Sequence, residues 1–163
     1  MKTLYLIRHG KASLEHEDVP DHRRPLLKKG EERSALLADF FKKNNCQCEL
    51  LMSSHAVRAV ETAKIVARGF NYLPEKIVVD PRFYHADVSK YFDILFEIDD
   101  SVSQLAIVAH NPYITDFANC FLEEKISGMP TSTVVCVEID AQHWNEINLA
   151  TYKKRFIINP KML

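Results

Sequence analysis

Residues 3–8, TLYLIR, carry apolar side chains on both alternating faces and then break abruptly at Arg8, His9 and Gly10. A strand with one face in water alternates apolar and polar residues, whereas a run apolar on both sides has to be covered above and below. Helices on two faces of a largely parallel sheet supply that cover, so this run narrows the fold to the α/β class and places the start of the chain inside the sheet.

The rest of the chain keeps the alternation. After the polar loop EHEDVPDHRRP (15–25), residues 28–45 predict an amphipathic helix with Leu36, Leu37, Phe40 and Phe41 on one face and a stop in Lys and Asn. A short apolar run, 50–52, then leads through Ser53 and Ser54, either of which is a candidate N-cap, into a stripe of Ala56, Val60, Ala63, Ala67 and Phe70. KIVVD (76–80) predicts a strand, and 87–98 a helix with Val88, Tyr91, Phe92, Leu95 and Ile98 inward. A buried strand to Ala109 breaks at His110, Asn111 and Pro112 before a helix striped by Tyr113, Ile114, Phe117, Phe121 and Leu122. STVVCVEI and KKRFIIN predict two further strands joined by a turn near DAQHWNE, an antiparallel pair at the sheet edge. The expectation is one domain over 1–163, a three-layer α/β/α sandwich with a mostly parallel central sheet.

Charge and cysteine usage exclude several classes. A formal net charge of −1 argues against a general nucleic-acid or anionic-membrane binder. No stretch approaches the ~18 apolar residues of a membrane span, and no secretory leader pattern opens the chain. The four cysteines stand in no paired metal spacing, which points to reduced thiols in the cytoplasm; Cys46 and Cys48 read as structural, with Cys48 opening a strand. Glu15, His16, Glu17, Asp18, Asp21 and His22 are weighed as a metal site and as a solvated loop, and the loop is preferred. No metal and no cofactor are expected.

In open α/β sheets ligands bind beyond the carboxyl ends of the strands. Three such ends carry polar breaks: Arg8, His9 and Gly10; Ser53, Ser54 and His55, with Arg58 in the next helical turn; His110 and Asn111. Two guanidinium forks beside a helix N-terminus suit an oxyanion such as phosphate. A histidine there, largely neutral near pH 7, is a nucleophile that can take a phosphoryl group. Gly10 would let the backbone turn sharply and approach a ligand. Ser13 and Arg24 are candidate substrate contacts, and Glu61 is expected to orient a neighbour or pair with a cation.

LIRHG (6–10), SSHAVRAVETA (53–63) and VAHNP (108–112) resemble, in order, the signature segments of the histidine phosphatase superfamily. RPLLKKGEERSALLADFF (24–41), MPTSTVVCVEID (129–140) and the closing NPKML are similar to its small SixA-type phosphohistidine phosphatases. The resemblance implies a phosphoglycerate mutase-like fold, His9 as nucleophile, and Arg8, Arg58 and His110 holding the transferring phosphoryl group; Gly10, Ser13, Arg24 and Asn111 are candidate substrate contacts from their positions at or near these strand ends.

Ester-cleaving relatives carry a glutamate acid in the segment matching about 80–90, where this chain has DPRFYHADVSK; His85 and Asp87 are the remaining candidate acids. An alkoxide leaving group needs a positioned proton donor, typically worth ~10² to 10⁴ in rate, whereas a departing imidazole of pKa ~6.5 does not. The implied substrate is therefore a phosphohistidine on a phosphotransfer protein, reached through an open site without a lid domain. The competing readings are a small-molecule phosphomonoesterase and a non-catalytic phosphate-binding module.

Overall fold

The computed structural model describes residues 1–14 and 18–163, so Glu15, His16 and Glu17 of the acidic loop lie outside the described residues. Ten regular elements follow in order: β1 (Lys2–Arg8), α1 (Lys28–Lys43), β2 (Leu50–Ser53), α2 (Val57–Gly69), β3 (Val78–Val79), α3 (Val88–Phe96), β4 (Gln104–Ala109), α4 (Tyr113–Asn119), β5 (Val134–Ile139) and β6 (Tyr152–Ile158). They build one six-stranded sheet in the order β3-β2-β4-β1-β5-β6. The first four of these are mutually parallel, and the β5–β6 hairpin closes the far edge with β5 as the reversed strand.

β1 is covered on both sides, as its sequence requires. Leu4 and Leu6 enter a core with Leu105, Ile107, Val135 and Val137 beneath α3 and α4, where Tyr91 stacks on Phe117 at 4.6 Å. Tyr5 and Ile7 point the other way, into a core with Ala106, Val108, Ala63 and Val66 beneath α1 and α2, where Phe41 stacks on Phe70 at 4.2 Å. Each successive residue of β1 thus belongs to a different layer.

Several local expectations shift. The buried stripe of α1 is Gly30, Ser34, Leu37, Ala38 and Phe41, while Leu36, one position off that stripe, faces solvent. The helix does end on asparagines, with Asn45 left-handed at φ 51°. β2 opens at Leu50 and not at Cys48, and neither Ser53 nor Ser54 is the N-cap of α2, a position taken by Ala56. The turn near DAQHWNE is part of the core, since Trp144 is fully buried and its Nε1–H donates to the Val102 carbonyl at 2.9 Å.

The tightness of the α1–α2 contact yields a prediction. A Cβ on Gly69 would lie 2.3 Å from the Ala38 carbonyl oxygen, so the two helix backbones would have to part. Gly to Ala normally favours a helix by up to about 1 kcal/mol. Here Gly69→Ala is expected to destabilise by about 1–3 kcal/mol, read as a lower urea midpoint with an unchanged slope.

Candidate active site

Strand register assembles the site. β1 pairs with β4 so that Arg8 faces Ala109, and the ladder continues one residue further through His9 N–H to the Ala109 carbonyl at 3.1 Å. The next residues, His9 and His110, therefore emerge side by side with ring centroids 5.0 Å apart. β2 pairs with β4 through Ser53 and Val108, and Ser54 N–H continues to the Val108 carbonyl at 3.0 Å. That ladder sets Ser54 Oγ 2.8 Å from His110 Nε2. Arg58, in the first turn of α2, reaches over the same edge, and Arg8, His9, Arg24, Arg58, His110 and Asn111 share one pocket with Lys11.

His9 is held in one tautomer. Its Nδ1 lies 2.7 Å from the Gly10 carbonyl, which can only accept, so Nδ1 carries the proton and Nε2 keeps its lone pair. Burial pushes the pKa of His9 down to about 3; the Gly10 hydrogen bond opposes this, and the Arg58, Arg8 and Arg24 charges reinforce it. Arg58 Nε–H points at His9 Nε2 from 3.4 Å. Gly10 serves this arrangement differently from expectation. Its φ is not positive, and its lack of a Cβ matters because Ser34 Oγ, at 2.9 Å, and the Gly30 carbonyl would meet one. Gly10 N–H donates to Thr62 Oγ1 at 2.9 Å, and that hydroxyl donates to the Arg58 carbonyl at 2.7 Å, tying the loop of His9 to α2.

His110 is oriented by Ser54, the serine expected to be a helix cap. Ser54 Oγ accepts the Ala56 N–H at 3.3 Å and lies 2.8 Å from His110 Nε2, so Nε2 is engaged by the serine and Nδ1 is the ring nitrogen left for the pocket. That Nδ1 and Arg8 Nε are buried without a protein partner among the described residues. Buried polar groups are nearly always satisfied, so two orphans on pocket-lining side chains fit an oxyanion site. Burial first, then the charges of His9 and Arg58, push the His110 pKa down to about 2, and burial with Arg58 nearby lowers that of Arg8. A cluster that resists its own positive charge is one an anion would relieve.

The other named residues separate into anchored and absent. Arg8 Nη1 and Asn111 Nδ2 both donate to the Met129 carbonyl, at 2.8 and 2.9 Å, and Thr115 Oγ1 donates to Asn111 Oδ1 at 2.6 Å, so the Asn111 amide braces the loop at Met129. Ser13 takes part through its backbone, its carbonyl accepting from Arg24 Nη1 at 2.5 Å. Glu61 Oε2 accepts the Leu26 N–H at 3.0 Å. His85 and Asp87 line a neighbouring depression with His55 and Tyr84, and the Tyr84 ring packs edge-on against both His85 and His110. Asp87 is the N-cap of α3, accepting the Lys90 N–H at 2.9 Å, so its carboxylate is engaged by the backbone. Two residues the motifs did not single out are at the centre: Asp21, ion-paired to both Arg24 and Arg58, and Tyr84, which packs edge-on against His110 at 5.3 Å.

Both imidazoles are expected to stay neutral far below pH 6.5. In an NMR titration from pH 8 to 5 the His9 and His110 ring signals should not move, while exposed His143, whose pKa the Asp100 hydrogen bond raises, protonates above 6.5. Because the unfolded chain binds these protons near pH ~6.5 and the folded one only near 3 and 2, acidification through that window destabilises the protein. Each histidine contributes about 1.4 kcal/mol per pH unit, and His9→Gln should flatten the pH dependence of the urea midpoint between pH 6.5 and 5.

Comparison with known proteins bears on the fold and the family. The chain is similar to the proposed phosphohistidine phosphatase SixA of Agrobacterium tumefaciens, with a TM-score of 0.81 and 23% identity over 96% of this chain and 97% of that one. It is similar to the protein histidine phosphatase SixA complexed with tungstate, at 0.82 and 23% over 98% of each chain. A mycobacterial glucosyl-3-phosphoglycerate phosphatase in complex with VO3 matches at 0.70 and 14%, over 96% of this chain and 98% of that one. At these identities the likeness is one of fold. No curated protein sequence matches the chain. The family model of the histidine phosphatase superfamily (branch 1) matches residues 4–105, the stretch from β1 into β4 that holds His9 and Arg58, and the chain belongs to that superfamily.

Proposed function

We propose that this protein hydrolyses phosphohistidine on a phosphotransfer or signalling protein through a covalent phosphohistidine at His9. The observation that carries this reading is the neutral His9, locked by Gly10 so that Nε2 is unprotonated and faces Arg58 Nε. The Nε2 lone pair attacks the bound phosphorus in line, and the bond from phosphorus to the substrate histidine nitrogen breaks, its electron pair staying on that nitrogen. Arg8, Arg58 and His110 stabilise the equatorial oxygens. Water then attacks the phosphorylated His9, releasing phosphate and restoring Nε2.

The choice of leaving group rests on acid supply. The carboxyl group beside the pocket, Asp21, is held anionic by Tyr84, Arg58 and Arg24 and offers no proton, which burdens ester cleavage and leaves a departing imidazole, protonated from solvent near pH ~6.5, little affected. Arg24 supports the site as a further cation, Asn111 as a brace, and Gly10 and Ser13 through their backbones. No step calls for a metal or cofactor. The four free cysteines are in keeping with a reducing compartment such as the cytoplasm, and among the described residues no helix is long and apolar enough to cross a membrane.

The test is phosphate release from a phosphohistidine-bearing transfer domain beside a panel of phosphate monoesters, in metal-free buffer. Wild type should prefer the phosphohistidine protein and form an acid-labile, alkali-stable phosphoenzyme. His9→Ala should lose both, with turnover down about 10³-fold or more. Preference for esters would retain the phosphatase and reject this substrate; binding of phosphate with no phosphoenzyme would reject catalysis.

A further inference from the structure

Asp21 lies in the 3-10 turn Asp21–Arg23 behind the acidic loop, 37 residues from Arg58, and no signature segment includes it. Its contacts are concentrated on the site. Arg58 Nη1 donates to its carbonyl at 2.7 Å and Arg58 Nη2 to its Oδ2 at 3.0 Å. Arg24 Nε and Nη2 donate to its Oδ1 at 3.0 and 2.8 Å, and the Tyr84 hydroxyl donates to Oδ2. Partial burial acts to raise the Asp21 pKa, but hydrogen bonds from Tyr84, Arg58 and Arg24 hold it well below the usual carboxylate range, so it is anionic at any working pH.

A guanidinium has two donor edges, one between its terminal nitrogens and one between Nε and a terminal nitrogen. Asp21 takes both terminal nitrogens of Arg58 by a two-point contact, carbonyl and carboxylate. Arg58 Nε is left pointing at His9 Nε2, where a phosphoryl oxygen would arrive. The carboxylate is itself held by Arg24 and Tyr84, and Arg24 is anchored on the Ser13 carbonyl, so the orientation is passed along a connected network.

We propose that Asp21 is the positioning residue for Arg58, presenting the Nε edge of its guanidinium to the phosphoryl group on His9, with Tyr84 and Arg24 fixing Asp21 in turn. The inference rests on the reading of His9 as the phosphoryl acceptor. An Arg58 already oriented loses less freedom when the oxyanion binds, and misplacement of such a group by about 1 Å can cost on the order of 10²-fold in rate. The opposite role, a carboxylate competing with phosphate for Arg58, predicts effects of opposite sign.

The experiment compares wild type, Asp21→Ala, Asp21→Asn and Tyr84→Phe. Tungstate affinity is measured by calorimetry, kcat and KM on a phosphohistidine protein by phosphate release, and protection of the Arg58 Nε–H from solvent exchange by NMR. Asp21→Ala should bind tungstate about tenfold or more weakly, lower kcat about 10- to 100-fold, and lose Nε–H protection. Asp21→Asn, which keeps one acceptor, and Tyr84→Phe should show smaller changes of the same sign. Should Asp21→Ala not fold, these two variants carry the test. Unchanged or tighter tungstate binding with normal kcat would overturn the proposal. Weaker tungstate binding and lost protection in a protein whose wild type releases no phosphate would uphold the positioning of Arg58 and refute the phosphatase reading alone.

Discussion

The site exists because of the parallel pairing of β1 with β4. Main-chain hydrogen bonds running one residue past the end of each strand place His9 beside His110, and the neighbouring β2–β4 ladder sets Ser54 against the second imidazole. A slip of one residue would turn these side chains toward the opposite layers and carry Leu4 and Leu6 out of their core. The apolar packing on both faces of β1 therefore enforces the register, and the register brings His9 and His110 together.

That geometry is held against an electrostatic cost. Arg8, Arg58 and Arg24 approach one another and two buried imidazoles, so burial and neighbouring cations depress both histidines, and Arg8 Nε and His110 Nδ1 have no partner among the described residues. Asp21 offsets the cluster from the far edge of Arg58. A preorganised cationic pocket with fixed donors is the environment in which a trigonal, negatively charged phosphoryl group is stabilised more than in water. The same preorganisation leaves the protein more sensitive to acid than its net charge of −1 would indicate.

Legibility in the sequence followed the range of the interactions. The two-sided apolar run of β1, the polar breaks after three strands and the stripes of the helices are local patterns, and they located the α/β fold and the cluster of His9, Arg8, Arg58 and His110. Leu36 and Leu37 could not be told apart, because both fit a helical stripe until the packing of the helix decides which one is buried. Gly10 suggested a backbone turn, whereas its neighbour Ser34 and the Gly30 carbonyl impose the requirement. Ser54 fitted a cap by position, yet its hydroxyl is claimed by a histidine 56 residues away.

By itself the sequence determined which segments are buried on both faces, where each apolar run must end, and that two arginines and two histidines stand at such ends. Those features depend on side-chain chemistry at short spacing, where the backbone leaves few alternatives. The tertiary structure alone decided that His85 and Asp87 line a neighbouring depression, that Gly10 fixes the tautomer of His9, and that Asp21 grips Arg58 from an otherwise ordinary polar loop. Partners tens of residues apart are chosen by the register of the sheet and by the packing of its layers, and neither is written in any single stretch of chain.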